Sequence, residues 1–275
     1  MLRTLLANSR DLDIVDEMHF FSPRWLRRDV ATHIRRHVGR LDAPGAVDKL
    51  LDLFYSGLSL NWFWNTIETQ LDRDLLRNDL ANRTLDMKSI FDSLLAVHAE
   101  MRDKPRIGAK FPMHYSYTHR LLEWYPNCLL LHTTRDPRAV YSSQAEKYLN
   151  EDQSWISRNF MRFRQFVHIN LQITWTARLH NRLNGSANYR LVRYEDMVSN
   201  PESEIKLICD FLDIDFVPEM LQPKRFGSSY DKEGKISHGI VKNSVDRWRT
   251  SISPSTAKFI DVVHNRAIKA FGYDA

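Results

Sequence analysis

The chain has 275 residues, 43% of them hydrophobic and 27% charged, enough to bury one substantial core in a single α/β domain. Its formal net charge of +5 and pI near 9.2 suit a polyanionic ligand, an acidic surface or nucleic acid without choosing among them. Two cysteines exclude a disulfide framework, and no apolar run approaches the ~20 residues that a membrane span needs.

Met1 to Ala7 reads as the middle of an amphipathic helix with no cap before it, and carries neither the apolar core nor the cleavage site of a signal peptide. Asp13-Ile14-Val15 is a short strand candidate leading to Glu17. Arg24 to His37 predicts a helix whose arginines (Arg24, Arg27, Arg28, Arg35 and Arg36) form a solvated face, with an acidic-surface patch as the rarer alternative. Leu50 to His98 predicts helices that supply core and lid. Arg106 to Lys110 is a second strand candidate, followed by a helix from His114 to Trp124 and a turn at Pro126-Asn127.

Cys128 to Thr134 is a mostly apolar run of strand length, as in a buried parallel sheet. A helix follows from Pro137 to about Leu149. Another runs from Ser154 towards Leu183, where Ile156, Phe160, Phe163, Val167, Leu171, Trp175, Leu179 and Leu183 form a stripe expected in the core. Gly185 can end that helix. Tyr189 to Tyr194 is the next strand and Pro201 to Leu212 the next helix. Strands alternating with helices argue for a parallel sheet with crossovers. With no repeat and no linker, residues 1–275 are expected to form one domain. Cys128 and Cys209 sit in apolar surroundings and read as buried thiols, a mild argument for a reducing cytoplasm.

At Thr134-Arg135-Asp136-Pro137 a strand ends and a helix begins at once. Asp136 suits an N-cap, and Pro137 suits the first helical position, where its missing donor costs nothing. The amides and the positive dipole end of that helix then face the carboxyl edge of the sheet, where α/β proteins bind ligands. Arg135 brings a fork that fits phosphate oxygens. Ser143 lies at most ~12 Å further along the axis, and Lys147 one more turn on the same side. From these residues alone, a phosphate site and an ordinary Arg-Asp-Pro turn before an exposed helix are equally compatible.

Four blocks together are more specific. Arg135-Asp136-Pro137-Arg138-Ala139-Val140, with Ser143 eight residues after the arginine, is similar to the 3′-phosphate motif of sulfotransferases. Tyr194-Glu195-Asp196-Met197 with Asn200-Pro201 resembles their second shared block. Val245-Asp246-Arg247-Trp248-Arg249 before Ile252-Ser253-Pro254 resembles their C-terminal Trp-Arg segment, and Gly108-Ala109-Lys110-Phe111-Pro112 their Lys-x-Pro strand end. The nearest flavour is the bacterial-type group related to tyrosylprotein sulfotransferases. The resemblance implies a P-loop-NTPase-like parallel sheet flanked by helices. It also implies transfer of a sulfuryl group from 3′-phosphoadenosine 5′-phosphosulfate to an acceptor hydroxyl or amine, with no metal required. Arg135 and Ser143 would hold the 3′-phosphate, with Lys147 beside them and Lys242 adding a charge from the C-terminal loop. Tyr194 would pack near the adenine. Lys110 would stabilise the sulfuryl and leaving-group oxygens. Glu17 is the candidate general base and His114 its competitor, although Pro112 stands where the cytosolic enzymes carry their histidine. The acceptor is a small molecule, sugar, lipid or peptide, and nucleic acid is not an expected partner.

One family feature is absent from the sequence. No Gly-x-x-Arg-Ser-Gly-Thr-Thr loop, which would hold the 5′-phosphosulfate on its amides, is present, and neither is a Gly-x-x-x-x-Gly-Lys-Ser/Thr loop. The family pattern places that loop, and the first strand before it, just upstream of Leu2. The expectation is therefore a misplaced start or a truncated gene copy with weak or absent transferase activity. The alternative is a non-catalytic nucleotide-binding or scaffold protein that keeps the 3′-phosphate site.

Overall fold

The computed structural model describes residues 1–15, 17–21, 29–55, 58, 60, 62–110, 114–149, 155–222, 224–225, 237–238 and 245–273. They divide into two compact units, Leu2–Pro126 and Asn127–Ala275.

The first unit runs α1 (Leu2–Leu6), β1 (Leu12–Val15), α2 (Val30–His37), α3 (Ala46–Tyr55), α4 (Trp62–Asn65), α5 (Ile67–Gln70), α6 (Arg73–Ala81), α7 (Met87–Glu100), β2 (Arg106–Ala109), a 3-10 turn (His114–Ser116) and α8 (Thr118–Trp124). Its helices start where short polar side chains satisfy their first amides. Asp29 accepts from the Thr32 amide ahead of α2, Asp72 caps α6, and Asp86 forms a capping box with Ser89 ahead of α7. The core gathers Phe20, Phe54, Phe63, Leu50, Leu51 and Leu76, all fully or almost fully buried. The strands β1 and β2 pair in parallel with Val15 opposite Ala109, so both carboxyl ends lie at one edge. Buried polar contacts tie β1 to α7: Asp13 Oδ2 lies 3.1 Å from His98 Nδ1 and 3.3 Å from Arg102 Nε. Burial pushes the Asp13 carboxyl up, but the His98 hydrogen bond and nearby positive charges outweigh it and hold it low.

The second unit runs β3 (Leu130–Thr134), α9 (Pro137–Leu149), α10 (Trp155–Leu183), β4 (Tyr189–Arg193), α11 (Tyr194–Ser199), α12 (Pro201–Leu212), a 3-10 turn (Pro218–Leu221), β5 (Lys224–Arg225), β6 (Ser237–His238), α13 (Trp248–Ser251) and α14 (Pro254–Ala270). β3 and β4 pair in parallel; β5 and β6 are a short antiparallel pair. Gly185 follows α10 at φ +86, the left-handed conformation that a glycine adopts without a Cβ clash. Beneath the β3–β4 pair, the Tyr189 hydroxyl lies 2.7 Å from His132 Nδ1 and 2.9 Å from His180 Nδ1. Burial lowers His132 to about 4, so it is neutral at ordinary pH.

Three expectations change. The stripe Phe160, Phe163, Val167, Leu171 and Trp175 is exposed, from 39 to 67%, while the adjacent row Ile169, Ile173 and Ala177 packs against Ala267, Ile268 and Phe271. A 3.6-residue period identifies apolar rows but not which of two neighbouring rows faces inward. The strand expected from Cys128 starts at Leu130 and is half-buried rather than enclosed on both faces. Cys128 is likewise half-buried, whereas Cys209 is buried as expected. The arginine face keeps its solvated reading at Arg35 and Arg36, both exposed; Arg24, Arg27 and Arg28 lie outside the described residues.

Candidate functional site

Parallel register explains why two distant segments meet in the second unit. Thr134 stands opposite Arg193, so the next residues, Arg135 and Tyr194, leave the carboxyl edge side by side. The Arg135 guanidinium carbon sits 4.7 Å from the centre of the Tyr194 ring. Stacking of this kind holds a guanidinium by its face and directs its donors outward in the ring plane. Ser143, on the second turn of α9, is half-buried.

The turn behind Arg135 is held by charges that satisfy one another. Asp136 Oδ1 accepts from the Arg138 amide at 2.8 Å, capping α9 as expected, and both Asp136 oxygens accept from the Arg138 guanidinium. Arg138 also donates to Asp261 Oδ1 at 3.2 Å and lies 4.4 Å over the Trp248 ring. The Asp136 hydrogen bonds hold Arg138 charged, above its ordinary range, against the pull of burial. The Asp136 amide in turn donates to Glu195 Oε1 at 3.0 Å. These contacts correct one part of the sequence reading. Three of the amides near the start of α9 are already used: that of Asp136 by Glu195, that of Arg138 by Asp136, and that of Val140 by the Asp136 carbonyl at 2.9 Å.

In the first unit, Glu17 lies two residues beyond β1 and Lys110 one beyond β2, at the shared carboxyl edge. Lys110 Nζ donates to Glu17 Oε1, and His19 Nε2 lies 3.7 Å from Glu17 Oε2. Burial alone would raise the Glu17 carboxyl; hydrogen bonds from His19 and Lys110 outweigh it and bring it to about 2. The loop is fixed next to this pair. Trp64 Nε1 donates to the Met18 carbonyl at 2.6 Å, and Met18 and Phe20 are fully buried.

The sequence-predicted residues therefore fall into two groups, Glu17 with Lys110 and Arg135 with Tyr194, each assembled within its own unit. Lys242, together with the side chains of Lys147 and His114, lies outside the described residues. Glu195, Arg138, Asp261 and Tyr273 were not singled out from the sequence. The first two stand inside the quoted blocks, where their spacing gave a signal; Asp261 and Tyr273 had none. Among the described residues no group of His, Cys, Asp and Glu could hold a metal ion, and no helix is long and apolar enough to cross a membrane.

Comparison with known proteins adds the following. The model of the sulfotransferase family matches residues 1–218, which include Lys110, Arg135 and Tyr194 and stop before Trp248. Two relatives provisionally named protein-tyrosine sulfotransferase are each 26% identical. That of Caenorhabditis briggsae aligns over 220 residues, 72% of this chain and 73% of the relative. That of Caenorhabditis elegans aligns over 202 residues, 68% and 75%. Among solved structures, the sulfotransferase domain from the Synechococcus PCC 7002 olefin synthase gives a TM-score of 0.57 at 21% identity, covering 100% of this chain and 90% of that one. The sulfotransferase domain from the curacin biosynthetic pathway gives 0.55 at 17% identity, covering 99% and 93%. At these identities the structural likeness is one of fold.

Proposed function

The chain belongs to the sulfotransferase family, and on that premise we propose that it transfers a sulfuryl group from 3′-phosphoadenosine 5′-phosphosulfate to an acceptor hydroxyl or amine, residues 1–275 acting as one cytoplasmic catalytic domain. The observation that carries this reading is the pairing of Arg135 with Tyr194 at the end of two register-matched strands. A fork beside an aromatic face suits a phosphate next to a purine, which supports a reading with the 3′-phosphate on Arg135 and Ser143 and the adenine by Tyr194. Lys147 and Lys242 add positive charge to the same phosphate in this reading. The names of the two relatives favour a tyrosine hydroxyl of a protein as acceptor; a sugar, a lipid or another small molecule is the alternative.

The donor supplies an activated sulfuryl group. In the transfer, the acceptor oxygen forms a bond to sulfur as the bond from sulfur to the 5′-phosphate oxygen breaks. The acceptor proton goes to Glu17, and the charge left on the departing phosphate is met by Lys110. Lys110 cannot serve both partners fully. When its ammonium turns to donor oxygens, Glu17 loses a hydrogen bond that holds its carboxyl near 2 and becomes a stronger base.

A second reading, a non-catalytic nucleotide-binding or scaffold protein, is favoured by one observation: the sequence has no Gly-x-x-Arg-Ser-Gly-Thr-Thr loop for the 5′-phosphosulfate. Among the described residues the parallel strands form pairs only. Two measurements separate the readings. Calorimetric titration should show adenosine 3′,5′-bisphosphate binding more tightly than adenosine 5′-phosphate; equal affinities would refute the 3′-phosphate assignment. Transfer of labelled sulfate to a tyrosine peptide should be measurable for the 275-residue chain; bisphosphate binding with no transfer would favour the scaffold reading. Full turnover would discard the scaffold reading.

A further inference from the structure

Helix α14 ends in a turn that fixes the residue after it. The Gly272 amide donates to the Lys269 carbonyl at 3.1 Å and the Tyr273 amide to the Ile268 carbonyl at 2.9 Å, with Gly272 at φ +72. This is the Schellman arrangement, and it requires a left-handed residue at the position of Gly272. A Cβ there would also stand 3.6 Å from Arg193 Nη1. Tyr273 is thereby delivered, 8% exposed, to the carboxyl edge of the β3–β4 pair. Its ring lies 4.4 Å from the Arg193 guanidinium carbon, and its hydroxyl donates to Glu195 Oε2 at 2.6 Å. Burial first, and then the negative charge of Glu195, push the Tyr273 phenol well above its ordinary range, so it remains a donor.

The other oxygen of the same carboxylate accepts from the Asp136 amide, in the peptide that joins Asp136 to Arg135. Glu195 also directly follows Tyr194, the ring on which Arg135 stacks. One carboxylate therefore links the C-terminal segment, the β4–α11 turn and the peptide that aims Arg135. We infer that Tyr273, acting through Glu195, is a positioning residue for the Arg135 phosphate site, and that the C-terminal turn sets how strongly the chain prefers a 3′-phosphorylated nucleotide. A peptide plane held at one hydrogen bond swings when the partner oxygen is pulled elsewhere. Without the Tyr273 donor, Glu195 Oε2 is left without that bond in a half-buried place and is drawn towards Arg193. This inference rests on the 3′-phosphate reading proposed above.

The test compares adenosine 3′,5′-bisphosphate with adenosine 5′-phosphate by calorimetry on the full chain and on Tyr273→Phe, Glu195→Gln and Arg135→Ala. Tyr273→Phe should weaken the bisphosphate about tenfold and leave the monophosphate within about twofold. Glu195→Gln keeps one acceptor and should lose less. Adding Tyr273→Phe to Arg135→Ala should produce no further loss, because both act on one contact. If the unsubstituted chain shows no preference between the nucleotides, the 3′-phosphate reading itself fails. If it shows the preference and Tyr273→Phe retains it, or loses both ligands in parallel, the positioning role is overturned. Should Tyr273→Phe not fold, an undiminished preference in Glu195→Gln overturns it equally.

Discussion

The two units put charged residues in the same topological place, just past the ends of two parallel strands, and hold them in different ways. The Leu2–Pro126 unit is built round a large aromatic and aliphatic core, and its edge carries a single Lys110–Glu17 ion pair with His19 alongside. The Asn127–Ala275 unit turns a row of large apolar side chains on α10 outward, and its edge is braced by a chain of polar contacts from Asp261 through Arg138 and Asp136 to Glu195 and Tyr273. In the first unit burial fixes the loop, and the partly exposed Lys110–Glu17 pair can exchange partners. In the second, the bracing charges neutralise one another, and Arg135 is oriented by what surrounds it. Exchange suits a group that must give and take a proton; rigid aim suits one that must recognise.

Four substitutions can break or sharpen that contrast. Glu17→Gln and Lys110→Ala should each lower sulfate-transfer turnover by about 10² to 10⁴ while leaving the affinity for adenosine 3′,5′-bisphosphate within about twofold. A parallel fall in affinity would show that the two edges do not have separate tasks. Arg135→Ala should do the converse at the binding step, weakening the bisphosphate by roughly 10- to 100-fold, as expected for losing a charge-assisted hydrogen bond. Acid sensitivity comes next. The Glu17 carboxyl is depressed from 4.5 to about 2, so its contribution to stability is complete above pH 4.5 and is lost as pH falls towards 2. Thermal midpoints taken between pH 6 and pH 2.5 should therefore fall less steeply for Glu17→Gln than for the unsubstituted chain. The smallest effect belongs to the outward face of α10. Leu171→Ser, at a site 52% exposed, should change unfolding free energy by no more than about 0.5 kcal/mol in urea titration. A loss of 2 kcal/mol or more would return that row to a core.

The alternation of strands and helices was legible along most of the chain, because β1 to β4 are short β-branched or apolar runs bounded by turns and helix caps. Arg135 stood out at a strand-to-helix junction, whereas Tyr194, Glu17 and Lys110 were picked out through the family resemblance; all four lie within two residues of a strand end, where parallel pairing brings distant segments together. Two things were not readable. Which apolar row of α10 faces inward depends on α14, whose own pattern is irregular at His264, where the helix is kinked. The role of Tyr273 depends on a glycine turn and on a carboxylate 78 residues away, and no local spacing encodes such a distance. The Asp136 cap was readable, but the use of its own amide was not, because Glu195 reaches it from the start of α11.

That cap has an evolutionary consequence. A site made of main-chain amides is written into the course of the backbone, and no single codon change can remove its donors. Asp136, Glu195 and the helix itself already occupy three of those amides, so under the proposed 3′-phosphate assignment recognition at this edge leans on a few side chains. On that assignment, one point mutation at Arg135 would rewrite the nucleotide preference of a descendant gene while the scaffold stays intact.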